Sequence, residues 1–278
     1  MGSSRYGTHM ARPSRIEYPG AVYLASSKGV RGRPVFASEA DRALFLDILQ
    51  LVLDRFGWVC HAYCLEDNRY NLLIETPQAN ISRGMRQLNG LFTQRLNRRH
   101  GHVGPVFQGR FKAVVIEKEA WLLELCRHVA LTPVHAGLAA RAEDWLWSSH
   151  AATAGQISEP DFLTTGWVLE QFGSSRRSAQ AEYRQFVEDG LEAPNPMLKV
   201  RDQIILGSDA FRNRLLGGMK VILPASLSLA AIEARYAQRG AWMAAAYRDH
   251  GYTMQEIADH AGLHISSISK IIKAREGR

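Results

Sequence analysis

The chain has 278 residues with 46% hydrophobic content, enough for one sizeable core or two modest ones, and two domains are expected. Its 34 Lys and Arg residues against 27 Asp and Glu residues give a formal charge of +7, which favours a polyanionic partner. No apolar run approaches the length of a membrane span and no signal sequence opens the chain, so a soluble, cytoplasmic, nucleoid-associated protein with no membrane partner is expected.

Residues 1–10, MGSSRYGTHM, read as an expression leader. Cys60, Cys64 and Cys126 form no CxxC pair and no zinc spacing, so they read as reduced core residues. Arg12 and Arg15 make a short basic arm before a first strand at 21–26, which runs into Lys28, Arg31 and Arg33. Ser38 is placed to cap a helix reaching about Phe56, with Ala43, Leu44, Ile48, Leu51, Val52 and Phe56 at helical spacing as its core face. Residues 60–77 read as two antiparallel strands joined by a polar turn at Glu66, Asp67 and Asn68. Strand alternation puts Arg69 and Asn71 on one side of the second strand and Tyr70 and Leu72 on the other.

Asn80 is a candidate cap for a long helix over 81–100, whose buried stripe is Ile81, Met85, Leu88, Phe92 and Leu96. Arg83, Arg86 and Arg98 fall on the opposite face with Arg95 flanking, and no acidic residue occurs from Ile81 to Val115, a pattern suited to phosphate contact. Arg110 and Lys112 continue this character into a strand at 111–116. The next helix, 118–131, ends in Arg127, His128, Val129, Ala130, Leu131, Thr132 and Pro133. His128, taken by itself, reads as a partly buried polar helix residue.

Residues 151–196 form a helical connector, with short helices near 167–172 and 178–189 and Tyr183, Phe186 and Val187 packing on a neighbour. Residues 197–278 read as a helical domain with helices at 209–216, 227–236 and 242–249. Thr253 then caps a helix with Glu256 as its capping-box partner, Met254, Ile257, Ala258 and Ala261 face inward, and Gly262 supplies a turn. Ile265, Ile268, Ile271 and Ile272 form the inner face of the last helix, leaving Ser266, Ser269, Lys270 and Lys273 outward, with Arg275 and Arg278 beyond. This is the pattern of a DNA-binding helix-turn-helix. It resembles the DNA-binding end of the DnaA replication initiator or the Trp repressor type.

The hairpin at 60–77, together with NISRGMRQLNG, NRRHG, VFQGRFK and EDWLWSS in that order, resembles the REP-associated tyrosine transposases, a branch of the single-tyrosine HUH nucleases. The resemblance spans about residues 12–150. It implies an α+β fold over 11–150, a ferredoxin-like antiparallel sheet with packed helices in the order strand, helix, strand, strand, helix, strand. In that family two strand histidines, one residue apart, hold a metal ion while a helix-borne tyrosine attacks a DNA phosphate. The matching positions here are Arg69 and Asn71 for the histidines, His128 for the tyrosine, and Thr132 for a nearby asparagine. A guanidinium stays protonated and cannot ligate a metal, but attracts phosphate. The resemblance therefore implies a domain that binds DNA, duplex or hairpin, with no metal, no cofactor and degenerate catalytic positions. The expected function is a sequence-specific DNA-binding protein, a transcriptional regulator domesticated from a bacterial transposase. The alternative is an active transposase or nickase acting on hairpin DNA through a phosphoramidate at His128. A third reading is a binder of structured RNA or a chromosome-organising protein. The sequence leaves the oligomeric state open.

Overall fold

The computed structural model describes residues 15–217, 228–236, 238–248, 252 and 254–276, without the side chains of Arg248, Gln255, Lys273, Arg275 and Glu276. Arg12, Leu227, Thr253, Arg278 and the leader thus lie outside the described residues. The chain divides into two compact units, Met1–Val221 and Ile222–Arg278.

The first unit is α+β, built on a mixed five-stranded sheet with helices on both faces. In chain order it runs β1 (Ala21–Lys28), α1 (Glu39–Phe56), β2 (Val59–Glu66), β3 (Arg69–Thr76), α2 (Ile81–His100), β4 (Lys112–Ile116) and α3 (Lys118–His135). Then come α4 (His150–Thr153), α5 (Gly166–Glu170), α6 (Arg176–Glu188), β5 (Ile205–Leu206) and α7 (Asp209–Leu216). The strand order is β2-β3-β1-β4-β5, antiparallel except for the β4–β5 pair. Alternation along β1 sends Tyr23 and Ala25 to a core beneath α1 and α2, and Val22 and Leu24 to a second core beneath α3, α5 and α6.

Several elements depart from the sequence reading. Glu66 pairs with Arg69 in the ladder, so the hairpin turn is the two residues Asp67 and Asn68. In α1, Leu51 is 51% exposed and Ala43 is exposed too, whereas Phe45, Ile48, Leu49, Val52, Leu53 and Phe56 are buried. Ser38 does form its capping box, exchanging bonds with Asp41, whose carboxylate also accepts from His100 Nε2 at 2.9 Å.

Asn80 makes no cap bond. Its amide instead accepts from Trp58 Nε1 at 2.6 Å and donates to the Phe56 carbonyl at 3.0 Å, tying the end of α1 to the start of α2. The indole lies so close to α2 that a Cβ at Gly84 would stand 2.1 Å from it, so only glycine fits there.

The strand expected from Phe111 begins at Lys112. Helix α3 continues past Leu131 through Pro133 to His135. Proline has no N–H for the carbonyl four residues back, Val129, and the Thr132 hydroxyl donates to that carbonyl at 2.9 Å instead. The helix therefore survives its proline.

Residues expected to form a connector help build the second core, with Val168, Leu169, Tyr183 and Val187 buried against α3. Nor does the first unit stop at 196: Ile205 and Leu206 pair with β4, and Phe211 and Leu215 are buried in the α1–α2 core. The far edge of the sheet is partly covered as well. Leu65 N–H donates to Trp147 O and Thr164 N–H to Cys60 O, both at 2.8 Å, so residues 147–149 and 163–164 lie along β2. Cys60, Cys64 and Cys126 are free thiols and buried.

The second unit holds α8 (Leu229–Glu233), α9 (Arg239–Arg248), α10 (Met254–Ala261) and α11 (Ile265–Glu276). Its core gathers Ile232, Trp242, Met243, Ala246, Ile257, Ala258, Ile268 and Ile272. Gly262, at φ 62°, takes the left-handed conformation that turns α10 toward α11. Arg239 Nη2 donates to the Ala261 carbonyl at 2.6 Å, closing the end of α10. Ile265, expected on the inner face of α11, is 39% exposed because the apolar stripe rotates onto Ile268 and Ile272.

Candidate nucleic-acid interface

The sheet register creates a row of polar and basic side chains at one end. Ser26 pairs with Asn71 on β3 and with Lys112 on β4, and Lys28 pairs with Arg69. Ser26, Asn71 and Lys112 alternate in phase with Leu24, Leu73 and Val114, so they point to the face that α3 covers. On α3, His128, Thr132 and His135 follow at intervals of four and three and line the same side of the helix. Together with Arg15, the segment Gln108–Phe111 and the loop near Gln203, these elements enclose a groove of about 1040 Å³.

Among the described residues five cationic side chains line the groove, Arg15, Lys28, Arg69, Arg110 and Lys112, and no carboxylate does. Lys28, Arg110 and Lys112 are exposed and form no ion pair among the described residues. Arg15 is fixed at the mouth: its guanidinium lies 3.6 Å from the Phe111 ring centre and donates to the Phe111 carbonyl at 2.7 Å. A water-facing concavity with one sign of charge concentrates anions.

Arg69 and Asn71 have a partner that sequence reasoning missed. Glu66, 5% exposed, accepts from Arg69 Nε at 3.0 Å, from Arg69 Nη2 at 2.7 Å and from Asn71 Nδ2 at 3.2 Å. The clamp is locally neutral and holds the guanidinium in one orientation, with its Nη1 edge unbonded among the described residues. The signal was the hairpin register, since Glu66 and Arg69 flank a two-residue turn. Lys28 and His135, absent from the sequence-derived set, also line the groove.

His128 is half-buried, and burial, followed by the nearby positive charges of His135 and Arg69, pushes its imidazole down to about 4. It is therefore neutral at physiological pH. In the second core His150 is likewise pushed down to about 4, chiefly by burial. A histidine unfolded near its ordinary value of about 6.5 binds a proton that the folded form refuses. Both groups thus add stability that is fully present above about pH 6.5 and is lost as pH falls toward 4. Urea titrations at pH 7.5, 6 and 5 are expected to show the midpoint falling, and His128→Gln is expected to flatten part of that slope. A midpoint independent of pH over this range would contradict the burial of both rings.

Not every expected contact joins the groove. Arg83, Arg86, Arg95 and Arg98 sit on α2, whose core lies across the sheet from α3. Arg86, Arg95 and Arg98 are exposed there and Arg83 is half-buried. In the second unit Ser266 and Lys270 are exposed, and Ser269 is half-buried. Ser266 N–H donates to His264 Nδ1 at 3.3 Å and its hydroxyl lies 2.8 Å from that nitrogen, organising the start of α11. The Lys273 side chain lies outside the described residues, as does Arg12. Among the described residues no three His, Cys, Asp or Glu side chains come together as a metal site would require. No described helix is long and apolar enough to cross a membrane.

No protein-family model matches the chain, and no curated protein matches it. Among solved structures the chain is similar to "Structure of the REP associates tyrosine transposase bound to a REP hairpin", at 14% identity and a TM-score of 0.48, over 56% of this chain and 92% of that one.

Proposed function

We propose that this chain is a sequence-specific DNA-binding protein, a transcriptional regulator whose first unit is a ferredoxin-like, transposase-derived domain that holds DNA without cutting it. The carboxylate-free basic groove carries this reading, because it offers phosphate oxygens Lys28, Arg110 and Lys112 beside an oriented Arg69 edge. The run β2-β3-β1-β4 supports the ferredoxin-like assignment. In the second unit, α10 and α11 act as a helix-turn-helix, with Ser266, Ser269, Lys270 and Lys273 reading the duplex. Two DNA-contacting modules on one chain raise affinity by effective concentration when both reach the same molecule. Such a protein works in the cytoplasm, on the nucleoid.

The second reading, a nickase, is favoured by one observation: His128 faces the groove as a neutral imidazole with a lone pair to give. One experiment separates the two. Fragmented genomic DNA is offered as duplex and as folded single strands, and bound material is run on a denaturing gel before sequencing. Enriched, uncut duplex from promoter regions is the expected result. New DNA ends or a covalent adduct, abolished in His128→Ala, would establish the nickase instead. As an arm of the same assay, Lys270→Ala with Lys273→Ala is expected to weaken duplex binding roughly tenfold and lower the salt slope by about 1–2. Unchanged affinity and slope would remove the helix-turn-helix from the account.

A further inference from the structure

A second cavity, of about 250 Å³, opens between α3, the segment at 141–143, α4 and α6. Its wall is apolar where Leu131, Ala142 and Val187 meet, and the carboxylates of Glu143 and Glu188 also line it, both turned to Arg141. Two polar groups there are unspent. His150 is 3% exposed and its ring lines the cavity; Nδ1 is wholly closed off, so Nε2, which bonds to nothing among the described residues, is the nitrogen that a ligand can reach. Arg184, on the rim, forms no ion pair among the described residues, whereas its neighbour Arg141 is paired through Nη2 with Glu143 at 2.8 Å and Glu188 at 2.7 Å.

A polar group left without a partner in a mostly apolar pocket is costly, and an acceptor placed against Nε2 would remove that cost. The volume is informative as well. An apolar cavity of about 150 Å³ takes a benzene ring, so this one has room for a single ring or a branched chain with a polar head.

We propose that this cavity is a binding site for a small organic carboxylate, its headgroup shared between Arg184 and the His150 imidazole and its apolar body laid against Leu131, Ala142 and Val187. The site is separate from the groove and does not rest on the DNA reading. A neutral imidazole donates one N–H to the carboxylate, and the bound anion then favours the protonated ring, an effect that burial and Arg184 oppose and that Glu143 and Glu188 already exert. Occupancy is therefore coupled to the titration of His150.

The test uses the full chain, titrated calorimetrically with benzoate, phenylacetate and 3-methylbutanoate and with the three corresponding amides, while histidine-labelled protein reports the rings by NMR. His150 is assigned from the signal lost in His150→Gln. At least one carboxylate is expected to saturate the protein at or below about 1 mM, roughly tenfold tighter than its amide. Binding is expected to weaken about tenfold in Arg184→Ala, an exposed position whose loss leaves the fold intact, and to raise the His150 titration midpoint. Three results would each overturn the proposal: no carboxylate bound by about 10 mM, amides bound equally well, or an affinity indifferent to Arg184→Ala.

Discussion

Lys28→Glu combined with Lys112→Glu is expected to lower affinity for DNA by about 100-fold or more near 0.15 M salt and to reduce the salt slope by about 2. These two lysines are the informative choice because they are exposed on neighbouring strands, line the groove and hold no structural bond among the described residues. Arg69 and Arg15 are poorer probes, since removing the first strands the buried Glu66 and removing the second frees Phe111. The melting temperature of the double variant should stay within a few degrees of the parent, which separates lost binding from lost fold. The control is Arg86→Glu with Arg95→Glu, the same charge change on α2 across the sheet, for which a loss below about fivefold is expected. If the α2 variant fell further than the lysine variant, the DNA would lie on the other face and the groove would not be its seat.

Phe92→Ala is expected to destabilise the first unit by about 3–5 kcal/mol, lowering its melting temperature by roughly 6–20 °C. Phe92 has no exposed surface and its ring meets Phe36 at 5.5 Å, Phe45 at 5.2 Å and Phe107 at 6.0 Å between centroids. It therefore joins α2 to α1 and to the segment before β4, and alanine would leave a cavity among rings that cannot all collapse inward. Because most of this core lies beneath α1 and α2, on the sheet face away from the groove, and meets the groove wall near Phe111 rather than at its cationic side chains, DNA affinity measured below the melting transition should change less than threefold. A loss of binding in the fully folded variant would show that the two faces are coupled. A cost below 1 kcal/mol would show that the aromatic cluster is not the centre of this core.

The order of elements was legible because each carries its own local signal: the Ser38 cap, the alternation in β3, the 3.6-residue stripe of α2. Where the signal was degenerate, reading failed. Residues 43–56 are so rich in leucine and isoleucine that more than one stripe fits, and packing alone selected Phe45 and Leu49 over Ala43 and Leu51. At Pro133 the general rule that proline ends a helix was overridden by a single hydroxyl. The candidate site divides in the same way. Motif positions pointed to Arg69, Asn71, His128 and Thr132, and all four line one groove. Periodicity says which residues share a side of a helix but not which face of a sheet that helix covers, so the arginines of α2 could not be placed in advance. Nor could cross-strand register, which joins Ser26 to both Asn71 and Lys112, be read from either strand alone.

Both edges of the sheet are partly occupied, β4 by the two-residue strand β5 and β2 by residues 147–149 and 163–164, the two ends of one segment. An open edge is a template on which another chain can add a strand, the route by which β-proteins recruit peptides, swap domains and form fibrils. That route is narrowed here while residues 147–164 stay in place. Association with a second copy or another protein would proceed through helices and loops, and the first species prone to aggregate on warming would be the one in which that segment has peeled away from β2.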